Sequence, residues 1–265
     1  MSHAERPLPR IDTSRPHSAR MYDWFLGGKD NYPVDWAAAE QVQGFFPQVA
    51  ELARANRSFM HRASRALAQG GVRQFLDIGT GIPTEPNLHQ VVQEVAPDSR
   101  VVYVDNDPIV MRHAQALLAS SPEGRTAYIQ ADARDPQKIV EAARETLSFD
   151  EPVALSMVAL LHFLPDEFGA SDVVRQLLDP LPAGSHLVLS HATADVDPDT
   201  WHAVVDVYRR NGTPVQVRSR SEFAQFFSGL DLLEPGIDFV TNWRPDASGY
   251  EKGELLPLYA GVARK

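Results

Sequence analysis

The sequence contains no cysteine, and this absence removes two classes of site. Without thiols the chain has no disulfide framework and no thiolate metal site. The lack of cysteine also fits a reducing compartment. The first twenty residues lack the apolar run of a signal peptide, and no apolar stretch elsewhere is long enough to span a bilayer. We therefore expect a cytoplasmic protein with no membrane partner.

Basic residues are scarce relative to acidic ones. The chain has 25 lysines and arginines against 35 aspartates and glutamates, a formal net charge of -10. Because nucleic-acid binding depends on a basic surface that neutralises phosphates, this balance disfavours DNA and RNA as partners. A small-molecule or peptide substrate is favoured instead. Composition leaves the oligomeric state open between a monomer and a homodimer.

Three segments differ in pattern along the chain. Residues 1–17 are polar and lack periodicity, which predicts a flexible N-terminal arm. Residues 18–70 show apolar residues at helical spacing and no strand pattern, which predicts a helical extension. In residues 71–265, short apolar runs alternate with amphipathic stretches, which indicates an α/β domain.

The α/β segment contains seven candidate strands. They are Gln74–Ile78, Val101–Val104, Thr126–Gln130, Val153–Val158, His186–His191, Gly236–Val240 and Leu258–Ala263. Helical patterns between the first five are Glu85–Val95, Ile109–Leu118, Pro136–Thr146 and Ser171–Leu178. Alternating strands and helices predict right-handed βαβ units, and hence a Rossmann-like, doubly wound, mostly parallel sheet. Ligands of such sheets bind at the carboxyl ends of the strands.

The most informative motif is FLDIGTGIPT, in which a strand enters the tight turn Gly79–Gly81. A dinucleotide fingerprint would have glycine where the chain has Thr84, and Pro83 removes a backbone donor that a diphosphate would use. The Asp77 carboxylate repels phosphate and pairs with an ammonium group. The loop therefore favours S-adenosylmethionine (SAM), which has an ammonium and no phosphate. The alternative is that Asp77 caps a turn that the glycines only tighten.

Two further strands also end in acids. Asp105 and the adjacent Asn106 follow the second strand, where a carboxylate accepts both hydroxyls of a ribose in either NAD or SAM. Asp132 follows the third strand, and its carboxylate is expected to accept the exocyclic amine of adenine. The Ala133 N–H would then donate to a ring nitrogen. Taken alone, Asp132 is also compatible with an ordinary loop acid.

His162 closes the apolar run of the fourth strand, where the reactive methyl group should face its acceptor. Histidine is the commonest general base, so His162 is the candidate catalytic residue. The alternatives are a wall of the site or a packed core histidine.

These motifs together resemble the class I, Rossmann-like SAM-dependent methyltransferases. More narrowly, the chain resembles the actinobacterial S-adenosyl methyltransferase family, first catalogued as a domain of unknown function. The matching segments are SARMYDWFLGGKDNYPVD, RANRSFMHRA, FLDIGTGIPT, VVYVDNDP, ADARDP, ALLHFLPD and YAGVARK. The resemblance implies a seven-stranded sheet whose last strand, YAGVARK, is antiparallel. It also implies that Asp77, Gly79, Thr80 and Gly81 line the cofactor, Asp105 holds the ribose and Asp132 lies near adenine.

The N-terminal helices are interpreted beside this resemblance as a lid. Tyr22 and Gly28 belong to a polar, aromatic and glycine-containing segment that suits closure over a ligand. Asn56 and Arg57 are expected to reach the cofactor carboxylate, Arg57 in bidentate fashion. The alternative is a helical layer packed on the sheet with a turn at Gly27-Gly28.

The sequence thus predicts a SAM-dependent methyltransferase, with product S-adenosylhomocysteine (SAH), that acts on an unidentified small molecule. The donor is already activated, so a base is needed only for a protonated acceptor. No zinc pattern or phosphate loop is present, and no metal is expected. One alternative is a non-catalytic SAM- or SAH-binding regulatory module. An NAD-dependent oxidoreductase is disfavoured by Asp77, Pro83 and Thr84.

Overall fold

The computed structural model describes residues 11–110, 120–246 and 255–265. Three helices come first, as the periodicity predicts. They are α1 (Ser18–Phe25), α2 (Pro33–Phe45) and α3 (Val49–Gln69). Part of the expected N-terminal arm, residues 1–10, lies outside the described residues; residues 11–17 precede α1 without a helix or strand. None of the helices in the described ranges is long and apolar enough to cross a membrane.

Eight strands and five further helices follow that lie wholly within the described residues. The strands are β1 (Gln74–Ile78), β2 (Arg100–Asp105), β3 (Arg125–Gln130), β4 (Val153–Val158), β5 (His186–Ala192), β6 (Asp231–Leu232), β7 (Asp238–Phe239) and β8 (Leu258–Arg264). The helices are α4 (Leu88–Val95), α5 (Pro136–Ala143), α6 (Ala170–Leu178), α7 (Pro198–Arg210) and α8 (Arg220–Ala224). The helix expected at Ile109–Leu118 lies mostly outside the described residues.

The strands form one sheet in the order β3-β2-β1-β4-β5-β8-β6, and β7 also pairs with β8. Strands β1 to β5 are parallel, whereas β8 runs antiparallel to β5. The predicted Rossmann-like sheet with an antiparallel last strand is therefore confirmed. This order places the carboxyl ends of β3, β2, β1, β4 and β5 side by side along one edge.

In the part of the chain that the structure describes, the sheet has eight strands, one more than the seven expected. The strand expected at Gly236–Val240 is present in shorter form as β7, and a further short strand, β6, precedes it; the two pair with successive parts of β8. Pro235 lacks the N–H that a ladder needs, and Gly236 adopts φ +85°, so the chain between β6 and β7 leaves the ladder.

The two faces of the sheet carry separate apolar clusters. Alternate residues of β1 point to opposite faces: Phe75 packs with the N-terminal helices, and Leu76 packs with α5 and α6. The cluster that contains Phe75 also contains Phe25, Val42 and Phe59 from α1, α2 and α3. The helical extension therefore forms a layer on one face of the sheet and shares its core.

A buried charge cluster joins this helical layer to the sheet. Arg20 of α1 is 3% exposed. Its Nε lies 3.3 Å from the Asp107 carboxylate, just after β2, and 3.7 Å from that of Asp35 in α2. The backbone N–H of His17 donates to Asp35 at 2.9 Å, and His17 Nδ1 lies 3.2 Å from Asp107. The cluster thus sets the position of α1 against the carboxyl end of β2.

Candidate functional site

A cavity of about 570 Å³ opens at the carboxyl ends of the parallel strands. The sheet side of its wall consists of residues 77–81 after β1, 105–106 after β2, 131–134 after β3 and 158–160 after β4. The opposite side comes from α1 and α3, through residues 17–19, 22, 56, 57 and 60. Every expected cofactor residue except Gly28 therefore lies in one cavity wall.

The turn after β1 is shaped by two glycines. Gly79 has φ +71° and Gly81 has φ +69°, a region that side chains rarely tolerate. The N–H groups of Gly79 and Thr80 both donate to the carbonyl of Val104, at 2.8 and 3.2 Å. A Cβ on Gly79 would lie 2.6 Å from Cδ1 of Leu160, another cavity residue. The absence of a side chain at Gly79 thus lets the loops after β1 and β4 meet.

Asp77 is a buried carboxylate at the centre of the cavity wall. Burial raises the pKa of Asp77 to about 6, because desolvation penalises the charged form. The hydroxyls of Thr80 and Ser156 and the guanidinium of Arg57 lower that pKa, but they offset the burial only in part. A cationic ligand would therefore stabilise the ionised form of this buried carboxylate.

Arg57 faces the same loop from α3. Its Nη2 donates to the carbonyls of Thr84 and Pro86, the latter at 2.9 Å. Burial lowers the pKa of Arg57, and the charge of Asp77 opposes that shift. Since both bonds come from Nη2, the Nε and Nη1 donors of the guanidinium remain for an anion. The site thus pairs a carboxylate with a guanidinium, which suits the two ends of an amino acid.

Asp105 has a structural task beside its place in the cavity. Its Oδ2 accepts the N–H of Gly81 at 2.8 Å, and its Oδ1 accepts that of Asp107 at 2.9 Å. Burial raises the pKa of Asp105. Each carboxylate oxygen has a second lone pair, which leaves capacity for ribose hydroxyls. Substitution of Asp105 would therefore disturb the glycine turn as well as the binding of a ligand.

Asp132, beside Asn106 and Ala133, is held by a residue that sequence reasoning missed. Arg134 forms a bidentate pair with it, with Nε–Oδ1 at 2.9 Å and Nη2–Oδ2 at 2.6 Å. This hydrogen bonding lowers the pKa of Asp132. The Arg134 guanidinium also lies 5.8 Å from the ring centre of Phe168, another cavity residue. No signal in the sequence distinguished Arg134 from an ordinary surface arginine.

Asn56 connects α1 to the turn after β4, because its side-chain amide is engaged in hydrogen bonds within the protein. Its Nδ2 donates to the Tyr22 hydroxyl at 2.9 Å, and its Oδ1 accepts the Ser190 hydroxyl at 2.6 Å. Ser190 Oγ in turn accepts the N–H of Ala159 at 2.9 Å. Ala159 lines the cavity with φ +53°, a strained conformation for a residue other than glycine. The chain of bonds holds this strained turn in place.

Two residues expected in the site lie outside the cavity wall. His162 follows β4 in a short 3-10 turn that directs its ring into the protein, 4.4 Å from Phe163 and 5.6 Å from His191 between ring centres. Burial lowers the pKa of His162 to about 3, and the charge of Arg218 lowers it further. Gly28 lies in a turn against Asp23, whose carboxylate would collide with any side chain there. Neither residue therefore lines the cavity: His162 has packing contacts, and Gly28 lies in a turn.

His17 is a cavity residue that the sequence did not reveal. Its backbone precedes α1, and its Nδ1 accepts the N–H of Ala19 at 3.3 Å. It belongs to a segment without periodicity, so no pattern singled it out. Within the described ranges, no group of three His, Asp or Glu side chains is placed to hold a metal ion.

Comparisons with known proteins agree on one kind of protein. A model of the family described as S-adenosyl methyltransferase matches residues 4–265. The structure is similar to that of a DUF574 family protein from Streptomyces avermitilis, with 50% identity, a TM-score of 0.94, and coverage of 97% of this chain and 100% of that chain. It is also similar to a Thermobifida fusca protein provisionally described as a methyltransferase, with 38% identity, a TM-score of 0.90 and 99% coverage of both chains.

A more distant likeness shows the fold alone. Human N-acetylserotonin methyltransferase, solved in complex with SAM, has 15% identity and a TM-score of 0.50 over 95% of this chain and 63% of that chain. A search of curated proteins finds no significant match.

Proposed function

The chain belongs to the S-adenosyl methyltransferase family and is a SAM-dependent methyltransferase, and from this premise we propose that the cavity at the strand ends binds SAM and transfers its methyl group to a small molecule. One observation carries the proposal. The acids that end β1, β2 and β3 line a single cavity around the turn Gly79–Gly81.

The amino acid end of SAM would lie at β1. Its ammonium pairs with Asp77, and its carboxylate meets the Nε and Nη1 donors of Arg57. The small residues Gly79, Thr80 and Gly81 let the ligand approach the backbone. Charge complementarity at both ends of the amino acid fixes the direction in which the cofactor lies.

The nucleoside would extend along the sheet edge towards β3. The ribose hydroxyls bind the remaining lone pairs of Asp105, next to Asn106. Adenine lies at Asp132 and Ala133, and Arg134 holds the carboxylate from the outer side. The methyl group on sulfur then faces the turn after β4.

We propose that the helical layer of residues 18–70 acts as the roof of this site. Tyr22 from α1 and Asn56 and Arg57 from α3 line the cavity opposite the strand ends. The roof excludes water, and residues 71–265 supply the cofactor-binding floor. The helical layer and the α/β segment thus have different roles in the site, although they share one hydrophobic core.

Methyl transfer from SAM is an in-line displacement, so the protein mainly needs to align two molecules. SAM supplies an already activated methyl group. Alignment of the reactants in a closed site lowers the barrier by roughly 7–11 kcal/mol in favourable cases. The side chains described above bind and orient the cofactor, and the bonded turn at Ala159 sets the wall that the methyl group faces.

Calorimetry with SAM, SAH and NAD tests the assignment of the cavity. We expect SAM and SAH to bind and NAD not to bind, because Asp77 repels a diphosphate. Arg57→Met should lower SAM affinity by about tenfold or more, because a charged hydrogen bond to the ligand is lost. Arg54→Met, on the exposed side of α3, is the matched control and should bind SAM normally. Binding of NAD alone would refute the proposal.

SAM affinity should depend on pH through Asp77. The pKa of Asp77 is about 6 without ligand, and only the ionised carboxylate pairs with ammonium. Affinity is therefore expected to fall as the pH is lowered through about 6, by up to about tenfold per pH unit. Calorimetry across this range measures it. Asp77→Asn should bind more weakly and lose this pH dependence; an unchanged profile in that variant would exclude Asp77 as the ammonium partner.

A binding-only regulatory module is the alternative to turnover. The cavity continues past Ala159 to Phe163 and the segment 212–214, which leaves space for an acceptor beyond the methyl group. This continuation supports the catalytic function.

A further inference from the structure

The cavity wall changes from acidic to apolar along the sheet edge. Strands β3, β2 and β1 each lead to a carboxylate in the wall, namely Asp132, Asp105 and Asp77. Beyond them, β4 and the chain that follows it contribute apolar side chains. These are Val158, Leu160, Phe163 and Leu164, with Pro214 from the segment after α7. The acidic part accommodates the cofactor, so the apolar part is left for the acceptor.

Phe163 is an aromatic residue of this apolar end; Phe168, further along the chain after β4, also lines the cavity. Its ring is half-buried, 5.5 Å from that of Tyr208 and 4.4 Å from that of His162 between centres. These neighbours hold the ring by edge contacts and by tilted packing. A face held in this way offers a flat apolar surface to a ligand without the loss of side-chain freedom that a mobile residue would incur.

The loops that form the apolar end are fixed to each other before any ligand binds. Arg218 is 2% exposed and donates to the carbonyls of Leu161 and Leu164 and to the Asp166 carboxylate, at 3.0, 3.1 and 2.6 Å. Gln216 donates its N–H to the carbonyl of His162 at 2.8 Å, and its side chain bonds twice to Asp166. The segment after α7 and the turn after β4 therefore form one preorganised wall.

No described group is placed at this end to remove a proton from an acceptor. The described residues of the apolar end include no carboxylate and no histidine, and Thr213 is a neutral hydroxyl. Tyr22 donates its hydroxyl to the carbonyl of Ala53 at 2.9 Å. His17 is held on the β2 side of the cavity, with Nδ1 3.2 Å from Asp107. An acceptor that arrives protonated would find no base.

We propose that the methyl acceptor is an aromatic molecule that arrives with its nucleophile already ionised, as a phenolate does, and that its ring packs against Phe163 and Pro214. The inference rests on the proposed function, because it takes the acidic part of the cavity as the SAM site. In the reaction, a phenolate oxygen lone pair forms the new O–C bond as the S–C bond breaks. The electron pair of the broken bond stays on sulfur, giving neutral SAH and a methyl ether. No proton moves.

The probe for this proposal is 4-nitrophenol, which is ionised at mildly alkaline pH and absorbs visible light in that form. We expect it to bind the protein saturated with SAH, as measured by calorimetry or saturation-transfer NMR. With SAM in place of SAH, the phenolate absorption should decline as 4-nitroanisole forms, identified by mass spectrometry. Unsubstituted phenol, which stays protonated under these conditions, should be methylated at least about tenfold more slowly.

Phe163→Ala should weaken 4-nitrophenol binding by about tenfold and leave SAH affinity within about twofold of wild type. Phe163→Leu keeps the apolar volume without the ring. It should also weaken 4-nitrophenol binding, and it serves as the test if the alanine variant does not fold. Phe45→Ala, at an exposed aromatic residue of α2, should change neither affinity. If SAH binds to the wild-type protein but 4-nitrophenol does not, the aromatic acceptor is excluded. It is also excluded if 4-nitrophenol binds to Phe163→Ala and Phe163→Leu as tightly as to wild type. Failure of SAH itself to bind would instead overturn the proposed function.

Discussion

Gly79→Val is expected to lower SAM affinity by at least about 100-fold, equivalent to about 2.7 kcal/mol. Two costs add. A β-branched residue at φ +71° is strained by roughly 1–3 kcal/mol. The new side chain must also displace Leu160, whose Cδ1 would lie 2.6 Å from the added Cβ. Because Leu160 also lines the cavity, its displacement is expected to disturb the turn and the ligand space together.

Calorimetry with SAM measures this loss, and urea unfolding measures the accompanying change in stability. Gly229→Val is the matched control, because Gly229 has φ +80° but nothing within 4 Å of an added Cβ, and it does not line the cavity. The control should lose stability to a similar backbone strain and keep its SAM affinity. Near-normal SAM binding by Gly79→Val would show that the turn does not shape the cofactor site.

Arg20→Met is expected to lower the free energy of unfolding by about 3–5 kcal/mol, the usual cost of breaking a buried ion pair. Asp35 and Asp107 are almost fully buried and both face Arg20. Methionine fills much of the same space but leaves the two carboxylates without their cation. Because the three residues join α1 and α2 to the end of β2, the helical roof should lose its attachment first.

Urea unfolding of the variant and wild type checks this value. Arg175→Met removes an exposed pair with Asp172 and should change the free energy of unfolding by no more than about 1 kcal/mol. Combining Arg20→Met with Asp107→Asn should recover part of the loss, since one uncompensated charge is then absent. A loss below about 1 kcal/mol in Arg20→Met would show that water or rearrangement replaces the arginine.

Local patterns were sufficient for much of the floor of the site. Asp77, Asp105 and Asp132 each lie at or just after the carboxyl end of a predicted strand, and in a parallel sheet such positions share one edge. The strand expected at Gly236–Val240 is present but shorter, and β6 before it was not expected, because apolar residues alone do not reveal that Pro235 and Gly236 interrupt a ladder. Helix α7 was not predicted, although the sequence contains a helix-start signal there: Asp197 is the N-cap and Pro198 lies in the first turn.

The sequence by itself determined the alternation of strands and helices, the glycine turn after β1, and the choice of SAM over a dinucleotide. These are local properties: side-chain periodicity, backbone freedom and the charge beside a turn. Only the tertiary structure decided that His162 turns into the core and that Phe163 and Pro214 form the far wall. Those outcomes depend on residues far apart in the chain, such as Arg218 and Leu161, which meet only when the chain folds.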